Sequence, residues 1–316
     1  MRDRYGDRHP VRKTLIGLLV LIALATYVVC VHPVWVGEQT ARWALRTHGV
    51  KSRWTEIDGH RIHYYEAAAK GAAQPVPLVL VHGLGGRGED WVKFLPALAA
   101  QGYHVYAPEL LGYGRSARPA DATYSIAQEE DVVAKFMQDR GLQQADVLGW
   151  SMGGWIALKL ALDKPEMVRR VMVIDAAGIY FHPVMPLSLF APNSEAELQE
   201  LFHYLEPGDR MLPYLVARDA LPNMQRNAWV VKRSALAMTS GTDLLDFRLQ
   251  NLRQPTLILW GAGDRLIPAD VGRRMHALIP QSQYVELQGC GHLVPVECSK
   301  RSLTPVEEFL KAGSRD

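Results

Sequence analysis

The sequence predicts an α/β protein: a mostly parallel, eight-stranded sheet flanked by helices, with an inserted helical cap and an apolar N-terminal helix. Three observations predict it. From about residue 52, short apolar runs alternate with helix-like stretches, the pattern of strand–helix–strand crossovers. Runs such as VPLVLVHG at 76–83 are apolar on consecutive positions, as expected for strands buried on both faces. The composition, 316 residues with 48% hydrophobic, 26 Gly and 19 Pro, excludes disordered and collagen-like chains.

The first element is a charged tail and an apolar run. Residues 1–13 hold Arg2, Arg4, Arg8, Arg12 and Lys13 against Asp3 and Asp7, a net charge of +3, while the whole chain carries +2. The rest is therefore close to neutral, and nothing points to a nucleic-acid partner. Residues 14–31, TLIGLLVLIALATYVVCV, carry no charge and as a helix would span roughly 27 Å, enough to cross a bilayer. A cleaved signal peptide, cut after Ala23-Leu24-Ala25, competes with this anchor, but it would leave an apolar new terminus. The basic residues precede the run, whereas only Arg42 and Arg46 follow it closely, so the N-terminus is expected in the cytoplasm and the bulk of the chain across the membrane. Residues 32–51 read as a linker.

The sheet begins with WTEIDG and HRIHYYEA, which turn at Asp58-Gly59 and read as an antiparallel edge hairpin. The remaining strand runs are VPLVLVHG, HVYAPEL, DVLGWS, VRRVMVIDAAG, QPTLILWGAGD and SQYVELQGCGH. Helices are expected at 90–100, 126–139, 152–163, 268–278 and 303–312, so the core comprises 52–179 and 251–316. Residues 180–250 separate two core strands and are far too long for an ordinary crossover. They include a capping box, Ser194-Glu195-Ala196-Glu197, ahead of the helical stripe Leu198, Leu201, Phe202 and Leu205, and read as the inserted cap.

Chemistry concentrates at strand ends. Gly149-Trp150-Ser151-Met152-Gly153 matches G-x-S-x-G between a strand and a helix, where flanking glycines permit a sharp turn that exposes the serine hydroxyl; the plain alternative is a helix-capping serine. Serine needs a base, and the base an orienting acid. Asp264 follows PTLILW and His292 follows SQYVEL, in the order serine, acid, histidine; Asp175 after VMVID is the rival acid. His82-Gly83-Leu84-Gly85-Gly86 offers backbone donors, and the Leu84 and Met152 N–H groups form the expected oxyanion hole. His82 is expected to be structural. The glycine-rich turn lacks the lysine and Ser/Thr of a phosphate-binding loop. Cys30, Cys290 and Cys298 are too few and too irregular for a zinc site, and free thiols are expected at 290 and 298, since the intervening stretch gives no reason for their Cβ atoms to meet. No metal and no cofactor are expected.

VHGLGG at 81–86, LLGYGRS at 110–116, GWSMGG at 149–154, GAGDRLIP at 261–268 and GCGHLVPVE at 289–297 together resemble the α/β-hydrolase superfamily across roughly residues 54–312. Within it the chain is similar to membrane-anchored, monoacylglycerol-lipase-like capped serine esterases. That resemblance implies a triad of Ser151, Asp264 and His292 and a small-molecule or lipid ester as substrate. Glu109 departs from the aspartate often found at its position. Ser151 stands where epoxide- and halide-processing relatives carry aspartate, which favours acyl chemistry. Carbon–carbon bond hydrolases, cofactor-free haloperoxidase-like relatives and a non-catalytic receptor remain the alternatives. Apolar cap residues, among them Phe181, Met185, Leu187 and Phe190, are expected to line a pocket over Ser151 suited to flexible acyl chains.

Overall fold

The computed structural model describes residues 9–312. Most of the charged tail, and the last four residues, lie outside them. Helix α1 (His9–Val31) carries the apolar run, and no residue of its 13–31 window is buried in the protein. Cys30 lies on it, exposed and unpaired. The linker stretch is largely helical: α2 (Pro33–Thr47) starts one residue later, with Pro33 in its first turn, where a missing N–H costs nothing. Asp219 reaches the start of α2, accepting the Val34 N–H at 2.9 Å and lying 3.4 Å from His32 Nδ1.

The sheet strands are β1 (Lys51–Ile57), β2 (His60–Ala67), β3 (Val76–Val81), β4 (Tyr103–Pro108), β5 (Ala145–Trp150), β6 (Val168–Ile174), β7 (Thr256–Gly261) and β8 (Gln283–Leu287). Their spatial order is β1-β2-β4-β3-β5-β6-β7-β8. Pairings of β1 with β2 and β2 with β4 are antiparallel and the others parallel. Asp58 and Gly59 close the first hairpin with φ of 51° and 78°, the two left-handed positions of a turn that matches strand twist.

Consecutive apolar residues in the central strands serve opposite faces. Val147 of β5 joins one core layer and Leu148 the other; Ile258 and Leu259 of β7 divide in the same way. The first layer packs under α4 (Ile126–Asp139), α5 (Met152–Asp163) and α9 (Ala269–Leu278), the second under α3 (Phe94–Ala100) and α11 (Ser299–Ala312). Each helix buries the apolar face its sequence supplies, as Phe136 and Met137 do on α4. Residues 180–250 hold α6 (Glu195–Leu205), α7 (Tyr214–Arg226) and α8 (Ala228–Thr239); Ser194 caps α6 by accepting the Glu197 N–H.

One expectation is overturned. Cys290 and Cys298 form a disulfide, with Cα atoms 6.1 Å apart. The stretch between them includes the short helix α10 (Val294–Glu297), whose turn folds Cys298 back toward Cys290. Sequence spacing alone does not disclose that single turn.

Candidate active site

Ser151 sits between β5 and α5 with φ 56° and ψ −119°, a conformation that non-glycine residues hold only where the surroundings enforce it. A Cβ on Gly149 would overlap the Gly153 carbonyl, and one on Gly153 would overlap the Val81 carbonyl, so both glycines are demanded by close approach. The Ser151 side chain makes no capping bond to α5, which removes the helix-cap reading. Its Oγ lies 2.9 Å from His292 Nε2.

His292 Nδ1 lies 2.7 Å from Asp264 Oδ2, so the ring nitrogens face the serine on one side and the carboxylate on the other. The backbone on both sides of the ring is tied down. The His292 N–H donates to the Leu205 carbonyl of α6 at 2.8 Å, and the Trp150 indole donates to the His292 carbonyl at 2.9 Å. Asp264 Oδ1 accepts the N–H groups of Leu266 and Ile267, at 2.8 and 2.9 Å, which fixes the carboxylate and leaves Oδ2 for the histidine.

Asp175, the rival acid, is fully buried at the end of β6 and accepts the Gly261 N–H at 2.7 Å, while its other oxygen has no partner. Burial, and then the Asp264 charge, push its carboxyl well above the usual range. One ligand atom from each of Asp175, Asp264 and His292 falls within 4.8 Å of the others, spacing that a metal ion accepts. The two histidine bonds and the Asp264 amide bonds already occupy most of those donors.

Leu84 lines the cavity that opens on Ser151, and Met152 is the first residue of α5. Among the described residues no acceptor takes the Leu84 or Met152 N–H, so both donors are available. The loop that carries Leu84 is braced from behind. His82 Nε2 accepts the Leu110 N–H at 3.0 Å, which places the proton on Nδ1, 2.8 Å from the Gly83 carbonyl; burial lowers its pKa. Glu109 accepts the N–H of Gly88 at 3.2 Å and of Arg115 at 2.6 Å. Burial raises its carboxyl, but His63 and Arg115 more than reverse that and hold it well below the carboxylate norm.

A cavity of about 300 Å³ lies over Ser151. Its walls include Phe181, Met185, Leu187 and Phe190, together with Trp155 and Met238, and no lining residue is charged. Met211 and Tyr214, from the same inserted cap, instead face outward at 74% and 63% exposure. The sequence reading did not anticipate Trp150, Leu205 or Trp155. Gly291 carried the one available signal, since a Cβ there would meet the Leu205 carbonyl and Pro207.

The alpha/beta hydrolase family matches residues 78–308. The chain is 27% identical to Lipase 1 of Psychrobacter immobilis over 260 residues, covering 77% of this chain and 78% of that protein. It is 30% identical to a 2-hydroxymuconate semialdehyde hydrolase of Pseudomonas putida over 251 residues, 74% of this chain and 86% of the relative. Among solved structures, a bacterial membrane phospholipase A shares the fold at a TM-score of 0.80 and 24% identity, over 95% of this chain and 98% of its own.

Proposed function

Since the chain belongs to the alpha/beta hydrolase family, we propose that it hydrolyses carboxylic esters with lipid-like acyl chains, such as monoacylglycerols, through an acyl-enzyme on Ser151. Ser151 Oγ attacks the ester carbonyl carbon as His292 Nε2 removes its proton. The carbonyl oxygen, now anionic, accepts from the Leu84 and Met152 N–H groups. Collapse of the tetrahedral adduct breaks the bond to the alcohol oxygen, which leaves with the proton held by His292. Water, deprotonated by the same imidazole, then attacks the acyl carbon, and release of the acid restores Ser151. Asp264 keeps the imidazole oriented and stabilises its cation in both halves.

The observation that carries this reading is the uncharged, apolar cavity on the serine. An acyl chain gains from it, whereas the anionic dienoate of a carbon–carbon bond hydrolase would leave its carboxylate without a cationic partner there. The relative from Pseudomonas putida keeps that second reaction in view. We further propose that α1 anchors the chain in a membrane with its N-terminus cytoplasmic and residues 52–316 on the other side, concentrating bilayer-dissolved substrates at the cavity. Protease protection in sealed vesicles of known orientation reads that side.

The test of substrate class is a p-nitrophenyl ester series on the full chain in detergent. Burial of each methylene contributes about 0.8 kcal/mol, so kcat/KM should rise about fourfold per methylene from acetate until the cavity fills. A steady fall beyond acetate defeats the lipid reading; cleavage of ring-fission dienoates in preference to all the esters would replace it with the carbon–carbon reaction.

A further inference from the structure

A second cavity, about 630 Å³, lies at the β1 edge of the sheet, four strands from β5 in sheet order. Its walls come from the end of α2, from β1, from Tyr65 on β2 and from the loop bearing Arg115, and they carry five cations: Arg42, Arg46, Lys51, Arg53 and Arg115. Four carboxylates face this set, one of them Glu109, which accepts the Arg115 N–H at 2.6 Å. Glu89, nearly buried, lies 2.6 Å from Arg42 and 3.7 Å from Arg115. Glu38 is 3.6 Å from Arg42 and is shared with Arg87, while Glu66 pairs with Arg53 and lies 2.9 Å from His104.

Those pairs leave charge over. Among the described residues no carboxylate comes within ion-pair distance of Arg46 or Lys51, whereas Arg42 pairs with Glu89 and Glu38 and Arg115 lies 3.7 Å from Glu89. Arg115 is also held in place, donating to Tyr65 Oη at 2.7 Å and to Ser52 Oγ at 3.2 Å. A guanidinium held in place at the wall of the groove is suited to bind an oxyanion through its terminal nitrogens.

We propose that this groove binds a phosphate ester, its phosphate taken by Arg46, Lys51 and the Arg115 guanidinium. Three donors from three different chain segments match the several oxygens of a phosphate better than the two of a carboxylate. The groove has twice the volume of the cavity over Ser151, room for the esterified group as well. α2 continues directly from the apolar α1, so the ester comes either from a phospholipid headgroup or from a soluble phosphate compound.

The experiment uses the full chain carrying Ser151→Ala in a phosphate-free detergent, so that neither probe is consumed. Calorimetric titrations with sn-glycerol 3-phosphate and with dihexanoyl phosphatidylglycerol should each saturate. Arg46→Gln/Lys51→Gln should weaken binding at least about tenfold, since each lost charge-assisted bond is worth about that factor. The charge-preserving pair Arg46→Lys/Lys51→Arg should retain binding, which separates loss of charge from loss of fold. Weakening of both probes makes phosphate itself the ligand; weakening of the lipid alone assigns the site to headgroups. The proposal is overturned if neither probe saturates, if the double glutamine variant binds both as before, or if the charge-preserving pair loses binding equally.

Discussion

Ser151 and Ser52 each touch a histidine that lies beside a carboxylate, and the two sets differ in nearly everything else. Both serine oxygens are 2.9 Å from an imidazole Nε2, of His292 and of His63 respectively. His292 Nδ1 is aligned on Asp264 at 2.7 Å, whereas His63 Nδ1 is 3.0 Å from Glu109 without the alignment of a hydrogen bond. Ser151 turns on a left-handed φ into the start of α5, beneath an apolar cavity. Ser52 lies in the extended ladder of β1 opposite Tyr65, beneath Arg115. If Ser151 alone carries acyl transfer, as proposed, then serine, histidine and acid in a row do not suffice for it. What sets Ser151 apart is a strained turn that presents the hydroxyl, with N–H groups nearby that have no acceptor among the described residues.

The sharpest way to break this contrast is to remove Ser151 and leave the other set intact. Ser151→Ala should lower kcat on a medium-chain ester by on the order of 10⁶, because nucleophile and base act as a unit. Adding Ser52→Ala to that variant should change the residue of activity no further. Turnover within about tenfold of the unsubstituted chain would falsify the assignment of Ser151, and a remnant that disappears only with Ser52 would make the second set catalytic.

A smaller effect separates the two carboxylates around His292. Asp264→Asn should cost on the order of 10⁴ in kcat by spoiling the orientation of the imidazole. Asp175→Asn should cost far less, because His292 bonds Asp264 and Ser151 and not Asp175, and asparagine can still accept the Gly261 N–H. The raised folded-state pKa of Asp175 makes a stability contribution that is complete below the unfolded value near 3.9 and is lost as pH rises through the folded value. The melting temperature of Asp175→Asn should therefore gain on the unsubstituted chain from pH 5 to pH 8. The reverse ranking in activity would move the acid to β6.

How much of this was legible depends on the range of the interaction. Strand–helix alternation, the two-faced burial of β5 and β7, and the bounds of α4 and α5 follow from local patterns, and the sequence carries them. The turn at Ser151 was also readable, since its glycines answer contacts made within five residues or with β3. What escaped depends on distant segments. Nothing near Cys290 shows that α10 brings Cys298 back to it, or that Leu205, from the far end of α6, accepts the His292 N–H. Likewise the charge of the β1 groove is invisible in a near-neutral chain, because its cations come from α2, β1 and the Arg115 loop. Glu109, without an evident role in the sequence, proves to brace the loop bearing Leu84.

The smallest effect concerns how the two histidines are held. His63 is fixed by strand pairing on both sides, to Trp54 of β1 and, through its neighbour Tyr64, to Pro108 of β4. His292 sits on a loop, and the Cys290–Cys298 disulfide closes a segment around it with a sequence separation of 8. Closing a loop this short restricts the unfolded chain by about 2.5 kcal/mol. Cys290→Ala/Cys298→Ala should accordingly lower the melting temperature by roughly 5 °C. Activity at moderate temperature should fall by less than about tenfold, because the Leu205 and Trp150 bonds still hold the backbone of His292. A reducing agent should reproduce the melting shift in the unsubstituted chain and leave the double variant unmoved. Equal melting of the two chains without reductant, or identical mass for the 290–298 peptide before and after reduction, would show that the thiols are free and that hydrogen bonds alone position the base.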